Sequence, residues 1–187
     1  MILDEIVAAK REELQDVKQE FPEEVLVEEI TKGNPPLFAA AFPAGTLNVL
    51  AEIKYRSPSR GPFPCLLEPV EIAGQYRGGG AVGLSILTEK NYFAGAPEHL
   101  RAVRKEFPEI PVLRKDFLFD SYQVLESRIW GASAILAIVA CLQPSQLIGL
   151  LASAREFLLD VLVEIHDLQE LETAVESGAK IIGVNNR

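Results

Sequence analysis

The run ASAILAIVACL at 132–142 is the longest apolar stretch of the chain, and Gln143 and Pro144 end it. Spanning a bilayer takes about 20 apolar residues, so this run reads as a buried strand. Five more strand-like runs share its character: LNVLAEIK, AVGLSILT, IPVLRKDF, DVLVEIH and KIIGVNNR. Between them lie PVEIAGQYRGG, APEHLRAVRKEF, SYQVLESRIWG, PSQLIGLLASAREF and LQELETAVESG, which read as helices. Near-continuous apolar strands alternating with helices require a parallel sheet covered by helices, either doubly wound or a (β/α) barrel. No glycine-rich dinucleotide fingerprint follows the first strand, so the doubly wound nucleotide-binding fold loses its main support. GQYRGGG sits at a helix end and reads as a cap and turn. Asp167 with Glu170 predicts a capping box, and Gly131 and Gly178 sit where helices can end in a left-handed residue. GGAVGLSIL, GASAILAI and GAKIIGV repeat Gly-Ala before an apolar strand, as successive αβ units would.

The alternation starts late. Leu3, Ile6, Val7, Leu14 and Val17 recur at near-helical spacing with Lys and Glu between them, which predicts an amphipathic helix over the first twenty residues. Pro22 can open a second helix through Ile30, and Gly33 can close it. Residues 1–46 thus read as a helical extension and 47–187 as the sheet-forming part, functionally one domain.

The acidic balance, 27 Asp plus Glu against 18 Lys plus Arg and a net charge of −9, argues against a general nucleic-acid or anionic-membrane binder. Cys65 and Cys141 show no CxxC or metal-ligand spacing, and His99 and His166 form no zinc pattern, so no metal is expected. The start MILDEIVAAKREEL has no apolar signal core, and a reducing cytoplasm is the expected compartment.

Charges fall where strands should be apolar. Glu52 and Lys54, two residues apart in AEIKYRSPSRG, point to one face of a strand while Ala51 and Ile53 point to the other. Together with Lys115, Glu164 and Asn185 they lie at or near the C-terminal ends of predicted strands, the face where βα loops of a barrel open. Lys and Glu facing one pocket supply a general acid and a general base, and paired charges avoid an uncompensated buried ion. Ser57 and Ser59 in the following loop offer hydroxyl donors for an anion. Phe93 and Phe117 follow the second and third strands and can either sandwich an aromatic ligand or pack the rim.

In this order AEIKYRSPSRG, SILTEKNYFAG, PVLRKDFLFDSYQ, ILAIVACL, DVLVEIHDLQELE and IIGVNNR resemble indole-3-glycerol phosphate synthase, a (β/α)8 enzyme family of tryptophan biosynthesis. The resemblance runs through essentially the whole chain, the leading helices included. It implies a TIM barrel with N-terminal extra helices. Such a barrel takes about 250 residues and builds its phosphate site after strands seven and eight. The expected architecture is therefore that barrel truncated after its sixth strand.

The resemblance further implies a cofactor-free carboxy-lyase. It would close the ring of 1-(2-carboxyphenylamino)-1-deoxyribulose 5-phosphate, release carbon dioxide and then water, and leave indole-3-glycerol phosphate. Lys115 resembles the family's general acid and Glu164 its general base. Lys54 matches a lysine that contacts the substrate carboxylate and is considered for a second acid role. Ser57 matches another carboxylate contact. Glu52 and Asn185 match residues that position the reacting groups, Arg187 matches the motif's arginine near the site, and Phe93 and Phe117 match walls of the anthranilate ring. The expected partner is this small-molecule substrate, with no nucleic acid and no membrane, and open sheet edges predict self-association. Other readings stay open: a fragment completed by a partner, a non-catalytic assembly module on the same fold, or a related barrel that isomerises phosphoribosyl amines, a group lacking the combined EIK, SPS and LRKDF pattern.

Overall fold

The computed structural model describes residues 2–30, 33–65 and 67–186. Helices α1 (Ile2–Glu20) and α2 (Glu23–Glu28) and a 3-10 turn (Ala39–Ala41) come first. Then follow β1 (Leu50–Ile53), β2 (Arg56–Ser57), β3 (Gly61–Pro62), α3 (Pro69–Gly78), β4 (Gly83–Leu87), α4 (Pro97–Glu106), β5 (Val112–Lys115) and α5 (Ser121–Trp130). The chain continues through β6 (Ala134–Ile138), a second 3-10 turn (Val139–Cys141), α6 (Pro144–Glu156), β7 (Asp160–Ile165), α7 (Leu168–Glu176) and β8 (Ile181–Val184). No helix among the described residues is long and apolar enough to cross a membrane.

Six strands form one curled parallel sheet in the order β1-β4-β5-β6-β7-β8. Apart from the β2–β3 hairpin, spatial order follows chain order, so the sheet has no point where strand order reverses. A doubly wound sheet needs such a point. The hairpin itself, pairing Arg56 with Pro62 and Ser57 with Gly61, falls in the stretch expected as an irregular loop offering hydroxyls to an anion.

The two-residue period of the strands divides their side chains between two environments. Ile53, Leu84, Ile86 and Val112 pack under α3 and α4 with Ile72, Leu100 and Val103. Ile135, Ala137, Val161, Val163 and Ile165 pack under α5, α6 and α7 with Val124, Leu147, Leu150 and Ala174. Full burial of such a side chain contributes about 1.5–3 kcal/mol. The alternate residues face the concave side. Near the strand starts Leu50, Leu113, Ala134, Leu162 and Ile181 meet Phe38 and Phe42 and form an apolar floor. Further along, Leu136 and Ile138 meet Ile6 and Leu3 of α1. The first helix is thus bound to the C-terminal side of the sheet, and Lys18 pairs with Asp120 at 2.8 Å.

Helix ends follow the expected chemistry with one difference. Gly131 (φ 90°) and Gly178 (φ 89°) take the left-handed conformation after α5 and α7, where a β-carbon would be strained. Asp167 Oδ1 accepts the N–H of Glu170 at 2.8 Å, but the Glu170 carboxylate reaches past Asp167 to the N–H of His166 at 2.7 Å. The reciprocal half of the capping box is therefore displaced by one residue, toward the strand end.

Candidate active site

Above the apolar floor the inward positions turn polar. The same two-residue period that places Leu50 on the concave face places Glu52 and Lys54 there, and after Leu113, Leu162 and Ile181 come Lys115, Glu164 and Asn185. They line one cavity of about 480 Å³ together with Leu3, Leu87, Phe93, Asp116, Phe117, Leu136, Ile138, His166, Val184 and Asn186. Lys115 Nζ donates to Glu164 Oε2 at 3.2 Å, and Asn185 Nδ2 donates to Glu164 Oε1 at 2.9 Å. Glu52 and Lys54 form a second ion pair. An acid and a base therefore stand in contact on one side and a compensated ammonium on the other, beside an apolar wall. Phe93 and Phe117 form that wall, with ring centroids 6.1 Å apart at 39°.

Phe93 sits on a tightly built loop. The Glu89 carboxylate, 2% exposed, accepts the backbone N–H groups of Asn91, Tyr92 and Phe93 at 2.7–3.0 Å. Arg56 donates its N–H to the Phe93 carbonyl at 3.1 Å, and its guanidinium reaches the carbonyls of Asn91 and Tyr92. Gly95 closes the loop with an N–H bond to the Glu89 carbonyl at 2.7 Å, and a β-carbon there would lie 2.4 Å from the Leu87 carbonyl oxygen. Because the obstructing atom is backbone, Gly95→Ala is expected to lower stability by about 1–3 kcal/mol, the usual cost of overpacking, read as a lower urea midpoint. An unchanged midpoint would show that the loop yields.

Beneath Lys115 and Phe117 lies a buried charge network. Asp116 accepts the Thr88 hydroxyl at 2.6 Å and the Phe117 N–H at 2.9 Å, and pairs with Arg114 at 3.2 Å and with Lys10 of α1 at 3.4 Å. Arg114 stacks 4.0 Å from the Trp130 ring centroid. Burial pushes the Asp116 carboxyl up, but Lys10, Arg114 and the two hydrogen bonds outweigh it and hold the group below the ordinary carboxylate range. A carboxyl lowered on folding stabilises fully above its unfolded value of about 3.9, and that stability is lost as pH falls through the lower folded value. Asp116→Asn is therefore expected to be less stable than the parent at pH 7, with the gap narrowing below about pH 4. Urea melts across that range check it, and a gap independent of pH would contradict it.

The cavity brings together Glu52, Lys54, Lys115, Glu164, Asn185, Phe93 and Phe117. Ser57 lies in the β2–β3 hairpin, 8% exposed, and does not line it. Arg187 lies outside the described residues. Sequence reasoning missed His166, Asn186, Asp116 and Leu3. His166 follows Glu164 by two residues, so the period that turned Glu164 inward was its available signal. Leu3 had none, because a helix far away in sequence brings it. No group of His, Cys, Asp and Glu among the described residues could hold a metal ion.

A family model described as indole-3-glycerol phosphate synthase matches residues 3–187. Indole-3-glycerol phosphate synthase 2 of Streptomyces coelicolor is 48% identical over 166 residues, covering 88% of this chain and 64% of its own length. The Chlorobium luteolum synthase is 53% identical over 143 residues, covering 76% of this chain and 54% of its own length. That of Chlorobium phaeovibrioides is 44% identical over 189 residues, with 99% and 72% covered. The chain thus spans about half to three quarters of the length of these curated relatives. Among solved structures, a 3-hexulose-6-phosphate synthase is similar with a TM-score of 0.59 at 15% identity, covering 75% of this chain and 66% of that one, a likeness of fold alone.

Proposed function

The chain belongs to the indole-3-glycerol phosphate synthase family, and from that premise we propose that its cavity converts 1-(2-carboxyphenylamino)-1-deoxyribulose 5-phosphate into indole-3-glycerol phosphate. The observation that carries this reading is the Lys115–Glu164 contact at 3.2 Å beside the Glu52–Lys54 pair and the Phe93–Phe117 wall. Phe93 and Phe117 hold the anthranilate ring, and Lys54 attracts its carboxylate. Confinement of a flexible sugar chain against that wall favours the ring-closing conformer. Lys115 protonates the carbonyl oxygen as the aromatic carbon attacks it. Loss of carbon dioxide restores aromaticity, so the electrons return to the ring and need no external sink. Glu164, oriented by Asn185, takes the proton released as the hydroxyl departs as water.

We further read the six parallel strands as consecutive units of a (β/α)8 barrel, supported by their sequential order. Edge strands β1 and β8 offer backbone groups for pairing, which favours self-association of this chain. Turnover is tested by mixing the purified chain with the substrate, alone and with a separate polypeptide carrying the relatives' remaining βα units, and following carbon dioxide and indole fluorescence together. Equal amounts of both products are expected. Silence in both mixtures would contradict the assignment.

A further inference from the structure

The proposed reaction takes up a proton. A substrate carboxylate leaves as neutral carbon dioxide and a hydroxyl leaves as water, so two protons are given to oxygen and one is withdrawn. The withdrawn proton can return from Glu164 to Lys115 across their contact. The other must come from solvent while bound substrate fills the cavity, where the Lys115 and Glu164 side chains are 28% and 14% exposed beside Phe117, Leu136 and Ile138.

Resting on the reading above, we propose that His166 is the port through which the Lys115–Glu164 pair exchanges protons with solvent. Its ring is held in place rather than free. Glu170 Oε2 takes the backbone N–H of His166 at 2.7 Å and sits 3.1 Å from its Nδ1. That contact assigns the proton to Nδ1 and leaves Nε2 as the exchanging nitrogen. Nε2 lies 3.8 Å from Glu164 Oε1, an oxygen that also accepts from Asn185, and the side chain is 34% exposed, so a small ring rotation closes the gap to the base while the ring's outer edge stays in water. In each turnover Nε2 gains a proton from solvent hydronium, which leaves as water, and passes it to the Glu164 carboxylate, which gives a proton on to the neutral Lys115 amine across their contact, while Nδ1–H stays hydrogen-bonded to Glu170. One O–H bond breaks in solvent, transient N–H and O–H bonds form and break at His166 and Glu164, one N–H bond forms on Lys115, and no electrons change hands.

Among the described residues, the titratable groups on the elements around this ring include Glu164 on β7, Lys115 on β5, Glu52 on β1 with Lys54 just after it, Asp4 on α1, and Asp167 and Glu170 at the start of α7. Cys141 of the second 3-10 turn also lies among these charges. Its thiol is pushed up to about 12 by burial and by Glu164, Asp4 and Glu170, so it stays protonated and does not compete as a base.

The test compares the parent chain with His166→Asn. Loss of about 10²-fold in kcat, with KM retained and rate restored by added imidazole, is expected for a displaced proton carrier. An unchanged kcat, or a loss that imidazole leaves in place, would overturn the proposal. A second readout needs no turnover: the ring-nitrogen NMR shifts of His166 should report the Nδ1–H tautomer, with the Nε2 resonance moving in Glu164→Gln. The opposite tautomer, or an Nε2 resonance indifferent to Glu164, overturns the port even if the chain is active. A parent chain without turnover but with this signature fails the catalytic reading alone.

Discussion

Lys115→Met is expected to abolish ring closure. The variant keeps the length of the side chain and removes its proton, so the carbonyl oxygen would have to gain charge against the apolar wall with no donor. Positioned general acids contribute about 10²–10⁴-fold, which corresponds to roughly 3–5.5 kcal/mol of barrier. The loss should fall on kcat and leave KM near the parent value, because Phe93, Phe117 and Lys54, to which the proposal gives the ring and its carboxylate, are untouched. The fold should survive, since Glu164 keeps its bond from Asn185 at 2.9 Å. Parallel thermal melts separate the two effects. Near-normal turnover by this variant would move the acid role to Lys54, which lines the same cavity.

Glu164→Gln should fail later in the sequence. The amide occupies the same space and still accepts from Lys115, so ring closure and decarboxylation proceed, but it cannot take the proton whose loss completes the indole. A decarboxylated, still hydroxylated intermediate should therefore accumulate, with indole formation slowed by about 10²–10⁴-fold. Product mass and indole fluorescence, followed together, distinguish this from a general loss of activity. An unchanged rate of indole formation would remove Glu164 from the mechanism.

Much of this arrangement was legible in the amino-acid order because it rests on periodicity. Strands such as ILAIV alternate between helices and the concave face, so once the apolar floor is assigned, the inward charges at 52, 54, 115 and 164 follow by counting in twos. The N-cap at Asp167 and the left-handed ends at Gly131 and Gly178 are local and equally readable. Part of what stayed hidden depends on contacts distant in sequence. Lys10 reads as an ordinary charge on an amphipathic helix, yet it is buried against Asp116. RSPSRG reads as a loop offering hydroxyls to an anion, and nothing in its order announces the short hairpin that buries Ser57 or the donors Arg56 gives to the loop carrying Phe93. Glu89 shows a different limit, since its partners at 91–93 are close in sequence but only the folded loop turns all three N–H groups toward it.

The central claim is a division of labour within one cavity, with Lys115 acting before carbon dioxide leaves and Glu164 after it. Rapid quenching of a reaction with carboxylate-labelled substrate tests it most directly, by timing labelled carbon dioxide against indole in the parent chain and in Glu164→Gln. The account predicts near-parent release of labelled carbon dioxide in the variant with indole delayed far behind it. Loss of both signals together, or neither, would contradict it.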